Sequence, residues 1–267
     1  MRIAIAGATG VVGKHVVDVA RERGHTVVPL SRSAGVDLFD LAGLSRALAG
    51  ADAVVDVANI STLSRSASEG FYRNTTANLL AAGSRAGVGH HVALSIVNVD
   101  RAPSGYYAGK VLQEQLVESG QLPWSILRST QFHEFAAQML DRAKVGPIRA
   151  VPMMRTQPVA AREVALRLVE LATAAPVGRA RDLGGPQEER LVELARAYAA
   201  AARLPGAVVS IPLPGKLGRA MRAGTLLPNN DAQRGTILFA DWLKAQDFPL
   251  SPVARRPTRR SHLDETR

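Results

Sequence analysis

The strongest constraint in the sequence is a set of three evenly spaced glycines that directly follows a short apolar run at the N-terminus. Residues 3–6 read Ile-Ala-Ile-Ala, which is typical of a buried strand, and Gly7, Gly10 and Gly13 come next. A helical pattern begins within the same segment, so the chain has to turn sharply at a place where a Cβ atom would obstruct it. Such a strand-to-helix turn presents backbone N–H groups to a diphosphate, and it therefore predicts a phosphate-binding loop.

Short apolar runs and longer helical patterns alternate over the first 130 residues, which is typical of βαβ units around a parallel sheet. Strands are predicted at 2–6, 26–30, 53–57, 91–95 and 124–128, and helices near 10–23, 41–49, 69–86 and 105–119. Parallel strands need crossover connections of one hand. The fold class predicted is therefore α/β, with a Rossmann-like doubly wound parallel sheet.

Composition excludes several classes of protein. The absence of cysteine excludes disulfides, a thiolate nucleophile and Cys-ligated zinc, and it fits a reducing cytoplasm, where we expect the chain to reside. The net charge is +10, but the 28 arginines are scattered singly apart from one cluster in the C-terminal tail, so we expect no nucleic-acid partner. No apolar run reaches the roughly 18 residues needed to cross a bilayer, so no membrane association is expected. His133 and Glu134 have no partner at metal-ligand spacing, so no metal is expected. The sequence does not fix the oligomeric state, and a homodimer is left open.

A catalytic pair is predicted in the fourth crossover. Tyr106 and Lys110 are four residues apart and lie on one face of the predicted helix. Hydride delivered to a carbonyl carbon creates an alkoxide that needs a proton, and a phenol can donate one. A nearby ammonium favours the phenolate, so we expect Lys110 to lower the pKa of Tyr106. The alternative is an ordinary amphipathic helix with a half-buried tyrosine.

The glycine spacing GxxGxxG, with Ala-Thr inside it, resembles the atypical branch of the short-chain dehydrogenase/reductase superfamily that includes the NmrA-like proteins. The resemblance implies a third catalytic residue at the end of the fourth strand, for which Ser95 is the candidate. An alternative alignment puts Ile96 on that position and leaves Asn98 to supply the polar contact. The resemblance also implies that Lys110 bonds the nicotinamide ribose. Further residues implied to bind cofactor are Gly7, Thr9, Gly10, Val11, Val12, Gly13, Asp37, Leu38, Ala58 and Asn59, and those implied to line the substrate pocket are Thr130, Gln131 and Phe132.

The end of the second strand predicts the cofactor preference. An enzyme that prefers NAD usually places an acidic residue there, against the ribose 2′-hydroxyl. This chain has Ser31-Arg32-Ser33 instead, and a guanidinium suits a 2′-phosphate. We therefore expect NADPH to be preferred, with NADH as the alternative. The competing explanation of the sequence is that Arg32 only faces solvent and does not bind the cofactor.

Three regions are predicted along the chain. Residues 1–131 are expected to form the NAD(P)-binding Rossmann domain, and residues 132–250 a smaller mixed α/β region for the substrate that partly returns to the sheet. Four prolines predict that 204–230 is mostly loop with a short strand at 208–211, and a last helix is expected near 232–245. The basic segment 251–267 is predicted to be a disordered tail.

These observations favour an NADPH-dependent oxidoreductase that reduces a carbonyl or quinone-like small molecule. A non-catalytic, NmrA-like regulator that senses NAD(P) is the first alternative, because some proteins of that group share the phosphate loop but lack the Tyr-Lys pair. An epimerase or dehydratase of nucleotide sugars is the second, because it uses the same pair.

Overall fold

A computed structural model describes residues 1–142 and 144–248 of the chain. The basic tail predicted at 251–267 lies outside the described residues. Among the described helices, none combines the length and the apolar character that crossing a bilayer requires.

The first half alternates strands and helices in the order β1 (Arg2–Ala6), α1 (Val11–Glu22), β2 (Thr26–Leu30), α2 (Leu41–Ala47), β3 (Ala53–Asp56), α3 (Arg65–Ala86), β4 (His90–Ile96), α4 (Tyr106–Ser119) and β5 (Trp124–Ser129). Two short 3₁₀ helices, Arg32–Ala34 and Val99–Arg101, follow β2 and β4. The second half contains α5 (Phe135–Arg142), β6 (Lys144–Val145), β7 (Ile148–Pro152), β8 (Arg155–Thr156), α6 (Ala161–Thr173), β9 (Gly178–Arg179), β10 (Leu183–Gly184), β11 (Glu189–Arg190), α7 (Leu191–Ala201), β12 (Ala207–Ile211), α8 (Gly215–Ala223), β13 (Gln233–Arg234) and α9 (Phe239–Lys244).

Within the described residues the central sheet has eight strands, and all of their pairings are parallel. Its order is β13-β10-β5-β4-β3-β1-β2, with β9 also paired to β5. The strand order reverses between β1 and β3, so the connections run away from this point in both directions. The predicted α/β, Rossmann-like fold is confirmed, and the five predicted strands of the first half are present within two residues of their expected ends.

Helices cover both faces of this sheet. On one face α1 and α6 bury residues such as Val16 and Leu168 against Ile5 and Leu94 of the strands. On the other face α2 and α3 bury residues such as Leu44 and Leu79 against the remaining strand side chains. Because both faces are buried, the strands are mostly apolar, as is usual in parallel sheets.

The proline-rich segment 204–230 was wrongly predicted to be mostly loop, since it contains α8. Pro214 lies immediately before that helix, where the missing N–H of proline costs nothing. The last helix is α9, which is much shorter than the predicted 232–245, because Gln233–Arg234 forms β13 beside β10. Both differences arise from long-range pairing and capping that a local pattern does not show.

Candidate functional site

The glycine turn between β1 and α1 is built by close approach of the backbone. Gly7 has φ +80°, and a Cβ atom there would lie 2.8 Å from the carbonyl oxygen of Val57. A Cβ atom at Gly13 would lie 2.0 Å from the carbonyl oxygen of Gly7. Gly10 is the N-cap of α1 and has no side chain to cap it. The N-terminus of a twelve-residue helix therefore faces the carboxyl edge of the sheet with its backbone N–H groups uncapped.

The segment after β2 forms one side of the same edge. Ser31 is buried and its Oγ lies 3.1 Å from Ser33 Oγ, whereas Arg32 is exposed and makes no salt bridge within 1–142 or 144–248. The loop at Asp37 and Leu38 is held from α3, because Asn78 Nδ2 donates to the Leu38 carbonyl at 3.1 Å. The predicted adenine-side residues therefore lie on a braced loop, and the Arg32 guanidinium is available to an anion.

A cluster of two phenols and one amide lies where β3 and β4 end. The Tyr106 hydroxyl donates to Asn59 Oδ1 at 2.8 Å, and the Tyr72 hydroxyl lies 3.2 Å from both that oxygen and the Tyr106 hydroxyl. Tyr106 is half-buried at the start of α4, and Tyr72 is fully buried on α3. The structure thus joins the predicted catalytic tyrosine to Asn59, which was predicted to lie on the ribose side.

Lys110 is buried below this cluster. Its Nζ donates to the Leu94 carbonyl at 2.8 Å and to Gln113 Oε1 at 2.9 Å, and it lies 4.7 Å from the centre of the Tyr72 ring. Gln113 Nε2 in turn donates to Asp56 Oδ2 at 2.8 Å. Burial lowers the pKa of Lys110 to about 8, although Asp56 opposes the shift. A buried ammonium is therefore linked through one amide to a buried carboxylate.

The predicted effect of Lys110 on Tyr106 is not what the structure shows. Lys110 contacts the ring of Tyr72 and not the Tyr106 hydroxyl. Burial raises the pKa of Tyr106, and the groups that act in the opposite direction are the Tyr72 hydrogen bond and the Arg142 charge. In the described structure, the hydrogen bonds of Lys110 are made to Leu94 and Gln113, and that of Tyr106 to Asn59.

Ser95 lies deeper in the sheet than this cluster. Its buried hydroxyl makes no hydrogen bond to Tyr106 or Lys110 in the described part of the chain. Glu114 on α4 is paired with Arg128, and although burial opposes ionisation of that carboxyl, Arg128 holds its pKa below the ordinary value. Ile96, which the alternative alignment puts on the catalytic position, packs in the same apolar cluster as Tyr106.

The amide of Asn98, which that alignment left to supply a polar contact, is already committed to the backbone. Asn98 Nδ2 donates to the carbonyls of Thr225 and Leu227 at 3.0 and 2.8 Å. Both of its amide protons therefore hold the segment after α8 against the end of β4.

The three predicted pocket residues follow β5. Thr130 is buried and its hydroxyl donates to the Gln157 carbonyl at 2.6 Å, while Gln131 Oε1 accepts from the Thr156 hydroxyl at 2.8 Å. Phe132 pairs with Val159 in an isolated parallel bridge. These contacts tie the segment to β8 and the start of α6, beside the edge at which Tyr106 lies.

Comparison with known proteins identifies the family. A family model described as NAD(P)H-binding matches residues 34–174, which is more than half of the chain. The chain belongs to this NAD(P)H-binding family. The match begins after the glycine turn, so the assignment of the turn depends on its own geometry.

Proteins similar to this NAD(P)H-binding chain have different roles. Photosystem II assembly factor Ycf39 of Synechocystis sp. is 28% identical over 220 residues, covering 72% of this chain and 67% of that protein. NADPH-dependent quinone oxidoreductase QOR2 of Escherichia coli, in complex with NADPH, has a TM-score of 0.69 at 16% identity and covers 91% of this chain and 98% of its own. A short-chain dehydrogenase/reductase superfamily protein of Agrobacterium tumefaciens with bound NAD has a TM-score of 0.66 at 20% identity, over 91% and 95%. The two solved structures share the fold of this chain.

The residues at the edge fit the cofactor of an NAD(P)H-binding family. The N-terminus of α1 has no side-chain cap, so its backbone N–H groups are free to bind a diphosphate, and Gly10 and Gly13 keep the turn free of side chains. Within the described ranges, no group of three or more His, Asp or Glu side chains could hold a metal ion.

Sequence reasoning missed Tyr72, Asp56 and Gln113. Tyr72 carried no signal, because an aromatic residue on an amphipathic helix is ordinary. Asp56 did carry one, since it is a lone carboxylate inside the apolar run of β3 and is 1% exposed. A charged residue predicted to be buried at the carboxyl end of a strand is a candidate for a functional site.

Proposed function

We propose that this chain is an NADPH-dependent oxidoreductase that reduces a carbonyl or quinone-like small molecule, with Tyr106 as the proton donor. The observation that carries the proposal is the position of the Tyr106 hydroxyl. It is half-buried at the carboxyl edge of the sheet, hydrogen-bonded to Asn59, beside the helix N-terminus that suits a diphosphate. Doubly wound sheets bind their ligands at this edge.

Different residues of the chain would bind different parts of the cofactor. The N-terminus of α1 would hold the diphosphate, and the exposed Arg32 would meet the 2′-phosphate with paired N–H donors. When bound, NADPH supplies the hydride. The Tyr106 proton passes to the substrate oxygen as that oxygen gains the electron pair of its double bond, which leaves Tyr106 as the phenolate.

The proposed substrate class follows from the apolar cluster next to Tyr106. Its buried members include Met154, Leu191, Met221 and Leu226, contributed by the second half of the chain. Methionine side chains are flexible and polarizable and pack well against flat aromatic ligands. Apolar residues next to Tyr106 favour an apolar carbonyl compound or a quinone over a charged or heavily hydroxylated one.

The test is steady-state oxidation of NADPH with a panel of quinones and apolar carbonyl compounds. We expect turnover with at least one member and a loss of at least about a hundredfold in kcat in Tyr106→Phe, because the proton donor is gone. Tyr198→Phe is the matched control, since it removes a phenol on α7 that stacks on Trp242. Turnover that survives in Tyr106→Phe would overturn the assigned role of Tyr106.

The preference for NADPH is tested at Arg32. Arg32→Ala should weaken NADPH binding by roughly ten- to a hundredfold, the value of a hydrogen-bonded charge pair, and leave NADH binding unchanged. Arg46→Ala removes an exposed arginine on α2 and serves as the control. An unchanged Kd for NADPH in Arg32→Ala would contradict the preference.

A second candidate function is a non-catalytic regulator that binds NAD(P)H and a partner protein. Two observations favour it: Lys110 does not touch the Tyr106 hydroxyl, and one relative is named an assembly factor. Tight binding of NADPH without turnover on any compound of the panel would favour this second function over the first.

A further inference from the structure

Tyr72 lies directly behind the proposed proton donor and has no role in the function proposed above. It is 0% exposed, and its ring centre lies 6.3 Å from that of Tyr106 and 4.7 Å from the ammonium of Lys110. Its hydroxyl approaches the Tyr106 hydroxyl and Asn59 Oδ1 at 3.2 Å each. A phenol buried this completely has to find hydrogen-bond partners, and those it finds belong to the candidate site.

We propose that Tyr72 is a positioning residue whose hydroxyl donates a hydrogen bond to the Tyr106 oxygen once Tyr106 has given up its proton. The inference rests on the proposed function of Tyr106 as a proton donor. It assigns to a neutral phenol on α3 the support that the sequence assigned to Lys110.

The count of protons in the cluster supports this role. Three oxygen atoms meet there, those of Tyr72, Tyr106 and Asn59 Oδ1, and the two phenols supply two protons. The Tyr106 proton lies on the shortest contact, 2.8 Å to Asn59 Oδ1. When that proton moves to the substrate, the amide oxygen can only accept, so the Tyr72 proton is the one left within the cluster. A charged phenolate attracts this proton more strongly than a neutral amide oxygen does.

The surroundings of Tyr72 keep it neutral and make it a good donor. Burial raises the pKa of Tyr72 well above its ordinary value, so it retains its proton when Tyr106 is ionised. The ammonium of Lys110 lies over its ring at 4.7 Å, a position in which a cation draws electron density from the phenol. Lys110 therefore contacts the residue that we propose supports Tyr106, and not the Tyr106 hydroxyl itself.

Other titratable or charged groups face the two phenols from each neighbouring element. They are Tyr107 and Lys110 from α4, Arg142 from α5 and Asp56 from β3. Tyr107 is the useful comparison. It is a buried phenol whose ring centre lies 5.9 Å from that of Tyr106, and no hydrogen bond joins the two hydroxyls in the described structure.

The experiment measures the titration of position 106 without any substrate. A ring-fluorinated tyrosine at 106 is followed by ¹⁹F NMR against pH, because an electron-poor ring brings the phenol into an accessible range. Tyr72→Phe should raise the pKa at 106 by about one to two pKa units, the effect of one hydrogen bond to a charged oxygen. Tyr107→Phe should not raise it. An unchanged or lowered pKa at 106 in Tyr72→Phe would overturn the proposal.

A second measurement uses a chain that keeps all of its hydroxyls, in case Tyr72→Phe does not fold. With fluorinated tyrosine at both 72 and 106, the ¹⁹F signal of 72 should shift at the pH where position 106 ionises. A ¹⁹F chemical shift at 72 that does not change while position 106 ionises would contradict the shared hydrogen bond. In the active enzyme, Tyr72→Phe should lower kcat by roughly ten- to a hundredfold and leave KM and the Kd for NADPH unchanged.

These readouts separate the two proposals. If the titration shifts as expected but no compound is turned over, the contact between Tyr72 and Tyr106 stands and the proposed activity fails. If turnover depends on Tyr106 but the titration does not move, the activity stands and the role of Tyr72 fails.

Discussion

The buried pair of Lys110 and Asp56 makes Asp56→Asn the most informative single substitution. Asp56 accepts from the Ala58 amide at 3.0 Å and from Gln113 Nε2 at 2.8 Å, and Gln113 Oε1 accepts from Lys110 Nζ at 2.9 Å. The two charges are therefore one amide apart, in a site where both side chains are nearly inaccessible to water. Asparagine keeps the shape of the carboxylate and removes its charge.

The expected effect is a further fall in the pKa of Lys110. Two unit charges roughly 7 Å apart interact by about 2.4 kcal/mol at an effective dielectric constant of about 20, which corresponds to about 1.7 pKa units. The pKa of Lys110 is already lowered by burial to about 8, so the wild-type lysine is mostly protonated at neutral pH. Without the carboxylate its pKa should fall below neutrality. The amide of residue 56 also presents an N–H group to Gln113, which reverses the preferred direction of the chain of hydrogen bonds and favours a neutral lysine amine as acceptor.

The assay is NMR of lysine labelled at ¹³Cε and ¹⁵Nζ, which is practical because the chain contains five lysines. We expect Lys110 to be protonated at pH 7 in the wild type and neutral in Asp56→Asn. Asp52→Asn is the matched control, because Asp52 is exposed and lies just before the opposite end of β3, where it accepts from the Arg2 amide. If Lys110 titrates at the same pH or higher in Asp56→Asn, the electrostatic link through Gln113 is refuted.

Two further predictions concern close approach of backbones at glycines. Gly13→Ala places a Cβ atom 2.0 Å from the Gly7 carbonyl oxygen, so it should lower the free energy of unfolding in urea by at least about 1–3 kcal/mol and abolish NAD(P)H binding. Gly70→Ala, on a helix with open space around the new atom, should instead raise it by about 0.5–1 kcal/mol, and equal effects at the two sites would contradict the steric explanation. Gly109→Ala places a Cβ atom 2.1 Å from Ser68 Oγ and 2.7 Å from its backbone, so it should force α4 away from α3 and lower both kcat and the melting temperature, whereas wild-type values for both would refute the close packing.

Local patterns predicted the parts of this protein that depend on local sequence. The alternation of short apolar runs with helical patterns predicted the ends of β1 to β5 within two residues. The glycine turn could be predicted because three positions without side chains directly follow a strand. Spacing also placed Tyr106 at the correct edge. Each of these features is determined by residues that are near one another in the chain.

The contacts that give the site its chemistry could not be predicted in this way. Tyr72 meets Tyr106 because α3 and α4 pack closely enough for Ser68 Oγ to donate to the Tyr106 carbonyl at 2.8 Å, across 38 positions. The link between Gln113 and Asp56 spans 57 positions. A helical spacing of four shows that two side chains share a face, but it does not show which residues of other helices and strands those side chains contact.

The parallel ladder from β5 through β10 to β13 has a consequence for how the molecule can open. Leu183 of β10 pairs with Ser129, and Gln233 of β13 pairs with Leu183. Strands from the second half of the chain therefore belong to the same sheet as strands from the first half. The residues before and after 131 therefore cannot move apart as rigid units without breaking main-chain hydrogen bonds of the sheet. Entry and exit of ligands must then depend on bending of the surface segments, and a fragment cut after residue 131 would leave the β5 edge bare and prone to aggregate.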